Sequence, residues 1–190
     1  MRQLLRTIDA VEASDGDDAA DYIGGLLHGF QIWLNLPSAE KMQPAAYQNI
    51  RSTDIPELNV KGSAKVGVIA GQVDVGDRHL TAPLSERSTR PTLLDVELRP
   101  CANLELRFDE YHGALVYVYH GSISNVQARQ LGVFSKGKTL ALSAGESGSR
   151  LLVMNGHSIG EPIVQHGPFV MNSAVQIEQA FKDYQNDQFV

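Results

Sequence analysis

The chain has 190 residues, of which 43% are hydrophobic and 20% charged. That is one domain, or one and part of a second, large enough to bury a core without a metal or disulfide staple. Sixteen Lys and Arg against 22 Asp and Glu leave a net charge of −6, which argues against direct nucleic-acid binding, since phosphate backbones are held mainly by Lys and Arg. No apolar run approaches the ~18–20 residues of a membrane span. The start, Met1-Arg2-Gln3-Leu4-Leu5, lacks the form of a signal peptide, and Cys101 is the one cysteine. No intrachain disulfide forms from it, and a reducing cytoplasm is the expected compartment.

In chain order, Val11–Asp18 is small and acidic with a turn signal at Asp15-Gly16. It misses calcium-loop spacing because the Gly follows the first Asp too early. From Gly29 to Pro37, Phe30, Ile32, Leu34 and Leu36 alternate with Gln31, Trp33 and Asn35. That is a strand ended by Pro37, and Trp33 among the polar residues predicts cover on both faces. Residues 38–63 read as a connection.

From Ala64 the pattern is all-β. Val66, Val68 and Ala70 share a face. Alternation marks strands at 92–99 and 103–108. Ala114–Tyr119 is apolar on both faces, and Gly121 is read as the turn after it. Further strands are expected near Lys138–Leu142, Arg150–Asn155 and Pro162–Gln165. Short strands separated by Gly-rich turns predict a sandwich or barrel. Ser173-Ala174-Val175-Gln176 has the form of a capping box, and Ile177, Ala180, Phe181 and Tyr184 follow on one helical face. This stripe is expected to pack on the barrel.

Candidate chemistry is sparse. Ala144–Ser149 lacks the Lys of a phosphate loop and the second Gly of a nucleophile elbow, and is read as a turn. The pairs Asp109-Glu110 and Asp95/Glu97 read as solvated charges. The histidines His28, His79, His112, His120, His157 and His166 contain no pair at i, i+2 or i, i+4, the spacings that place two imidazoles on one face of a strand or helix. Cys101, beside Pro100 with no nearby His, does not read as a nucleophile.

Two stretches go beyond periodicity. One runs from Leu27 to Pro37 and on through Glu40-Lys41-Met42 and Pro44–Gln48. The other runs from Gly160 to Asn172. Both resemble the pirin family, as do Ile69-Ala70-Gly71 and the aromatic strand ending at Gly121. The resemblance implies a mainly β fold: a cupin barrel (double-stranded β-helix, jelly-roll-like) with a C-terminal helix. It implies a division into residues 1–50, a remnant of an N-terminal cupin and linker, and 51–190, the C-terminal cupin. Family members resemble metal-dependent quercetin-opening dioxygenases, and others are nuclear transcription cofactors. Their metal, usually iron, is held in the N-terminal cupin by a His-x-His and a His-x-Glu pair. Neither pair occurs here, so most of the N-terminal barrel is expected to be missing. Leu104–Gly121 occupies the place of the first cupin motif in the second barrel, but it offers only Arg107, Asp109, Glu110 and His112.

The expectation is therefore a pirin-like cupin with no catalytic, cofactor-binding or metal residues and no cofactor of its own. It is expected to act by binding or regulation and to form a homo-oligomer, with a regulatory protein partner and neither nucleic acid nor membrane contact. The alternative is a quercetin 2,3-dioxygenase-like oxygenase whose metal is held in an unexpected way, as by His from two chains.

Overall fold

The computed structural model describes residues 6–8, 29–44, 47–84, 88–108, 113–186 and 188. The turn read at Asp15-Gly16 lies outside them, as do His28, Asp109, Glu110 and His112. The chain divides into two compact units, residues 43–160 and residues 1–42 with 161–190.

In the second of these, Arg6–Ile8 (β1) pairs antiparallel with Gly29–Gln31 (β2). The predicted strand at 29–36 thus shrinks to three residues. Trp33 is 56% exposed, and Leu34 and Leu36 are also exposed. Among the described residues Trp33 lacks the expected cover, because the alternation continues past Gln31 while the ladder does not.

The larger unit begins with Glu57–Val60 (β3), which pairs with Ala64–Ala70 (β4). Gln72–Val75 (β5) and Arg78–Thr81 (β6) form a hairpin. Thr92–Leu98 (β7), Asn103–Arg107 (β8) and Ala114–Ile123 (β9) follow, then Val126–Gln127 (β10), Gln130–Phe134 (β11) and the 17-residue Thr139–Asn155 (β12). The first half of β12 pairs with β8, and the second half lies between β7 and β9. One strand thereby belongs to both halves of a sheet that folds over on itself. The two inner faces meet in a single core, with Val66, Val68, Leu94, Val96, Val116, Val118, Leu151 and Val153 from one half and Val73, Leu104, Leu106, Leu140 and Leu142 from the other.

Two sequence readings are corrected at this corner. Ala144–Ser149, read as a turn, is an irregular stretch inside β12, with a register shift between Ala144 and Ser149. Gly121, read as the turn after its strand, lies within β9, and the turn falls at Ser124-Asn125. Both glycines that mimic turn signals have left-handed backbones, φ 69° at Gly121 and φ 76° at Gly148. They face each other so closely that a Cβ on Gly121 would collide with the Gly148 carbonyl oxygen. Glycine here permits a bulge and a close approach of two strands rather than a chain reversal.

In the smaller unit, Val164–His166 (β13) and Phe169–Met171 (β14) make a hairpin, followed by the helix Ala174–Gln185 (α1). The capping box forms with one change. Ser173 Oγ accepts from the Gln176 N–H at 3.3 Å, while Gln176 Oε1 accepts from the N–H of Asn172, one residue before the cap, at 2.9 Å. Ile177 and Ala180 bury against Phe169 and Met171, with Val164 and Phe181 alongside. The stripe's partner is thus this hairpin, a more local one than the barrel expected from the sequence. No helix among the described residues is long and apolar enough to cross a membrane.

Candidate functional site

The first place to look for chemistry is the interior of the folded sheet. Alternation along β8 and β9 turns Leu104, Leu106, Ala114, Val116 and Val118 inward, and all five are buried. They span the stretch that the resemblance assigns to the first cupin motif of this barrel. None carries a nitrogen or oxygen donor on its side chain. Arg107 stands on the other face, 60% exposed, with its Nε 2.8 Å from Glu105 Oε1. No group of three His, Cys, Asp or Glu side chains gathers among the described residues. These inward residues do not fit a transition metal, which needs imidazole, thiolate or carboxylate donors.

The described histidines are dispersed. His120 lies on β9 opposite Arg150. The His157 backbone N–H donates to Thr89 O. His166 meets the Phe181 ring edge-on at 5.2 Å. Cys101 is exposed in a tight turn with φ 57°.

His79 has the most elaborate surroundings. Its Nδ1 is 2.6 Å from Asp74 Oδ1, and its Nε2 is 3.1 Å from Thr81 Oγ1. An acid, imidazole and hydroxyl in sequence is the order of a nucleophile relay. Here, however, Asp74 and His79 are directly opposed across the β5–β6 hairpin, and the imidazole is half exposed. Water competes at both ring nitrogens, and the trio acts as a cross-strand pair that sets the hairpin.

Asp95 and Glu97, read as solvated charges, lie on the outer face of β7. Glu97 Oε2 is 3.3 Å from Arg150 Nη2, and Asp95 Oδ1 accepts from the Tyr119 hydroxyl at 2.8 Å. Burial, reinforced by the bond to Asp95 and its charge, pushes the Tyr119 phenol far above the usual tyrosine value of 10.0. The unfolded chain loses this proton near pH 10 while the folded chain keeps it. The associated stability is therefore present below pH 10 and is lost as the pH rises beyond it. An alkaline titration followed by phenolate absorbance should show the Tyr119 phenol ionising only as the protein unfolds. Tyr119→Phe should remove that late step; its persistence would contradict the assignment.

The most connected polar cluster was not singled out from the sequence by its chemistry. Lys41 Nζ donates to Asn35 Oδ1 at 2.5 Å and to the Val170 carbonyl at 2.9 Å. Glu161 Oε2 accepts from the Ser38 N–H and from Asn172 Nδ2, both at 2.8 Å. Burial lowers the Lys41 ammonium below the usual lysine range, and the Glu161 charge opposes that shift. The two stretches that carry the resemblance are thus stitched together across more than 120 residues of chain. Beside the stitch is a cleft of about 110 Å³ lined by Lys41, Met42, Met171, Gln176 and Asp183, among others. No local pattern marks such a set; each residue finds its partner only through the fold.

Residues 93–190 match the pirin C-terminal cupin domain. The chain is 38% identical over 173 residues to a Pseudomonas aeruginosa protein provisionally named a quercetin 2,3-dioxygenase, covering 87% of this chain and 60% of that one. Pirin-1 of Arabidopsis thaliana is 36% identical over 170 residues, covering 84% of this chain and 57% of its own. Among solved structures, a quercetin 2,3-dioxygenase from Acinetobacter baumannii superposes with a TM-score of 0.74 at 30% identity, covering 83% of this chain and 55% of that one. The chain thus spans little more than half the length of these relatives. It is mainly β, with a cupin fold and a C-terminal helix, and it belongs to the pirin family.

Proposed function

We propose that this chain is a pirin-family cupin without a metal site of its own, acting by binding and self-association rather than by catalysis. The observation that carries this reading is the aliphatic lining contributed by Leu104, Leu106, Ala114, Val116 and Val118 where a cupin would present its donors. A side chain without a lone-pair donor neither holds iron nor positions oxygen on it. The exposed Trp33, Leu34 and Leu36 support a binding role, because large apolar groups left in water favour a cover. A regulatory protein as that cover rests on family analogy alone.

The names borne by the relatives favour a second reading, an oxygenase acting on quercetin-like substrates with metal ligands drawn from more than one chain. Elemental analysis separates the two. Purified protein is expected to carry well below one iron, copper, nickel or zinc per chain and to leave quercetin intact. Stoichiometric metal with ring opening would decide for the oxygenase.

A further inference from the structure

We infer that β11 is the self-association edge of this protein, pairing antiparallel with the same strand of a second copy. The inference rests on the self-association proposed above and adds where it happens.

Within the larger unit, β3, β6, β10 and β11 each pair on one side only, and β10 is just two residues long. Folded proteins usually guard such edges with charge, proline or a bulge, because the free N–H and C=O groups otherwise template another strand. β3 carries Glu57 between Pro56 and Lys61, and β6 begins with Arg78 beside His79. β11 reads Gln130-Leu131-Gly132-Val133-Phe134, with no charge and no proline. Val133 is 77% exposed and Leu131 40%.

The register explains what these two residues belong to. Val133 lies opposite Leu115, which lies opposite Met154 and then Leu93. Leu131 lies opposite Tyr117, which lies opposite Leu152. Residues at alternate positions share a face, so two apolar rows, buried at Leu152 and Met154, run out to the β11 edge. There they stop at solvent.

A second copy of β11 continues both rows. In a two-fold antiparallel pairing centred on Gly132, Val133 meets Leu131 of the other copy, and Leu131 meets its Val133. The same register sets Arg129 against Ser135 and Lys136 against Ala128, so the positive charges flanking the strand meet neutral residues. Self-complementarity of this kind is what an isologous dimer requires. A five-residue seam falls in the small, weak class of interface, below about 1,200 Å², so association is expected at micromolar concentration.

The test is sedimentation velocity on the full chain across a micromolar concentration series, with Val133→Lys and Trp33→Ser compared at each step. The wild type is expected to move from the 20.7 kDa chain mass toward twice that value. Val133→Lys, at a position mostly in water, is expected to weaken the dimer by at least ~10-fold, or about 1.4 kcal/mol. Its circular dichroism and melting temperature should stay unchanged. Trp33→Ser is expected to leave the dimer intact. If the wild type dimerises and Val133→Lys dimerises equally well, the β11 assignment falls while self-association stands. If Trp33→Ser alone dissolves the dimer, the same follows. A wild type that remains monomeric throughout removes both. As an independent reading, chains carrying Leu131→Cys mixed with chains carrying Val133→Cys, all with Cys101→Ser, should form a crossed disulfide on mild oxidation. Absence of that product from a dimeric sample would also overturn the register.

Discussion

Gly121→Ala is expected to be the most damaging single-methyl change in the barrel, lowering stability by about 2–5 kcal/mol. Two costs combine. The residue holds φ 69°, where an L side chain costs roughly 1–2 kcal/mol. The added Cβ also collides with the Gly148 carbonyl oxygen and comes 3.1 Å from Ser149 Cα. Those atoms are backbone, so they cannot swing aside as a long side chain would. Two paired strands must part, at the point where β12 passes from one half of the sheet to the other. Gly76 is the natural comparison. It has φ 58°, but nothing lies within 4 Å of its would-be Cβ. Gly76→Ala should therefore show the conformational cost alone, about 1 kcal/mol. In a protein of this size each kcal/mol moves the midpoint by about 2–4 °C, so thermal melts resolve the two. Equal losses would mean that the close approach has no energetic weight.

Leu106→Ala is expected to cost a further order of the same size, about 2–5 kcal/mol. Leu106 has no exposed surface and lies in the single core, directly opposite Leu140 on β12. Truncation removes contacts that the sheet halves share and leaves an apolar void. The wall is strand on both sides, which relaxes less readily than a loop, so the upper part of that range is favoured. The variant carries a second readout, because a dry apolar cavity takes up small apolar guests such as xenon. Guest uptake by the variant and not by the wild type would show that the interior is filled by its own side chains. Uptake by the wild type would mean that the interior already holds a cavity.

The parts of the fold that were legible in the sequence are those where the two faces of a strand differ. Thr92–Leu98 alternates because Leu94, Val96 and Leu98 face the core while Asp95 and Glu97 face water. Asn103–Arg107 alternates in the same way. The hairpin β5–β6 and the edge β11 carry no strand pattern that stands out in the sequence. Each is four or five residues long, too short to outweigh its polar or glycine content. The two corner glycines misled for a different reason. A left-handed glycine looks alike in a turn and in a bulge, and only the partner strand tells them apart. Of the candidate site, the alternation makes legible that the inward positions of β8 and β9 are aliphatic. The stitch was not legible, since the two bonds that close it, Ser38 to Glu161 and Lys41 to Val170, join residues more than 120 positions apart.

That stitch has a consequence for the order of events during synthesis. Ser38 and Lys41 leave the ribosome long before Glu161 and Val170, and every residue of the larger unit, 43–160, is made in the interval. At about 5–20 residues per second, some seconds pass in which the early half of the stitch has nothing to hold. The larger unit can thus begin to condense before the early half of the stitch meets its partners. A free chain ending at Gly160 should display a protected barrel with residues 29–42 open to protease, and the full chain should shield them.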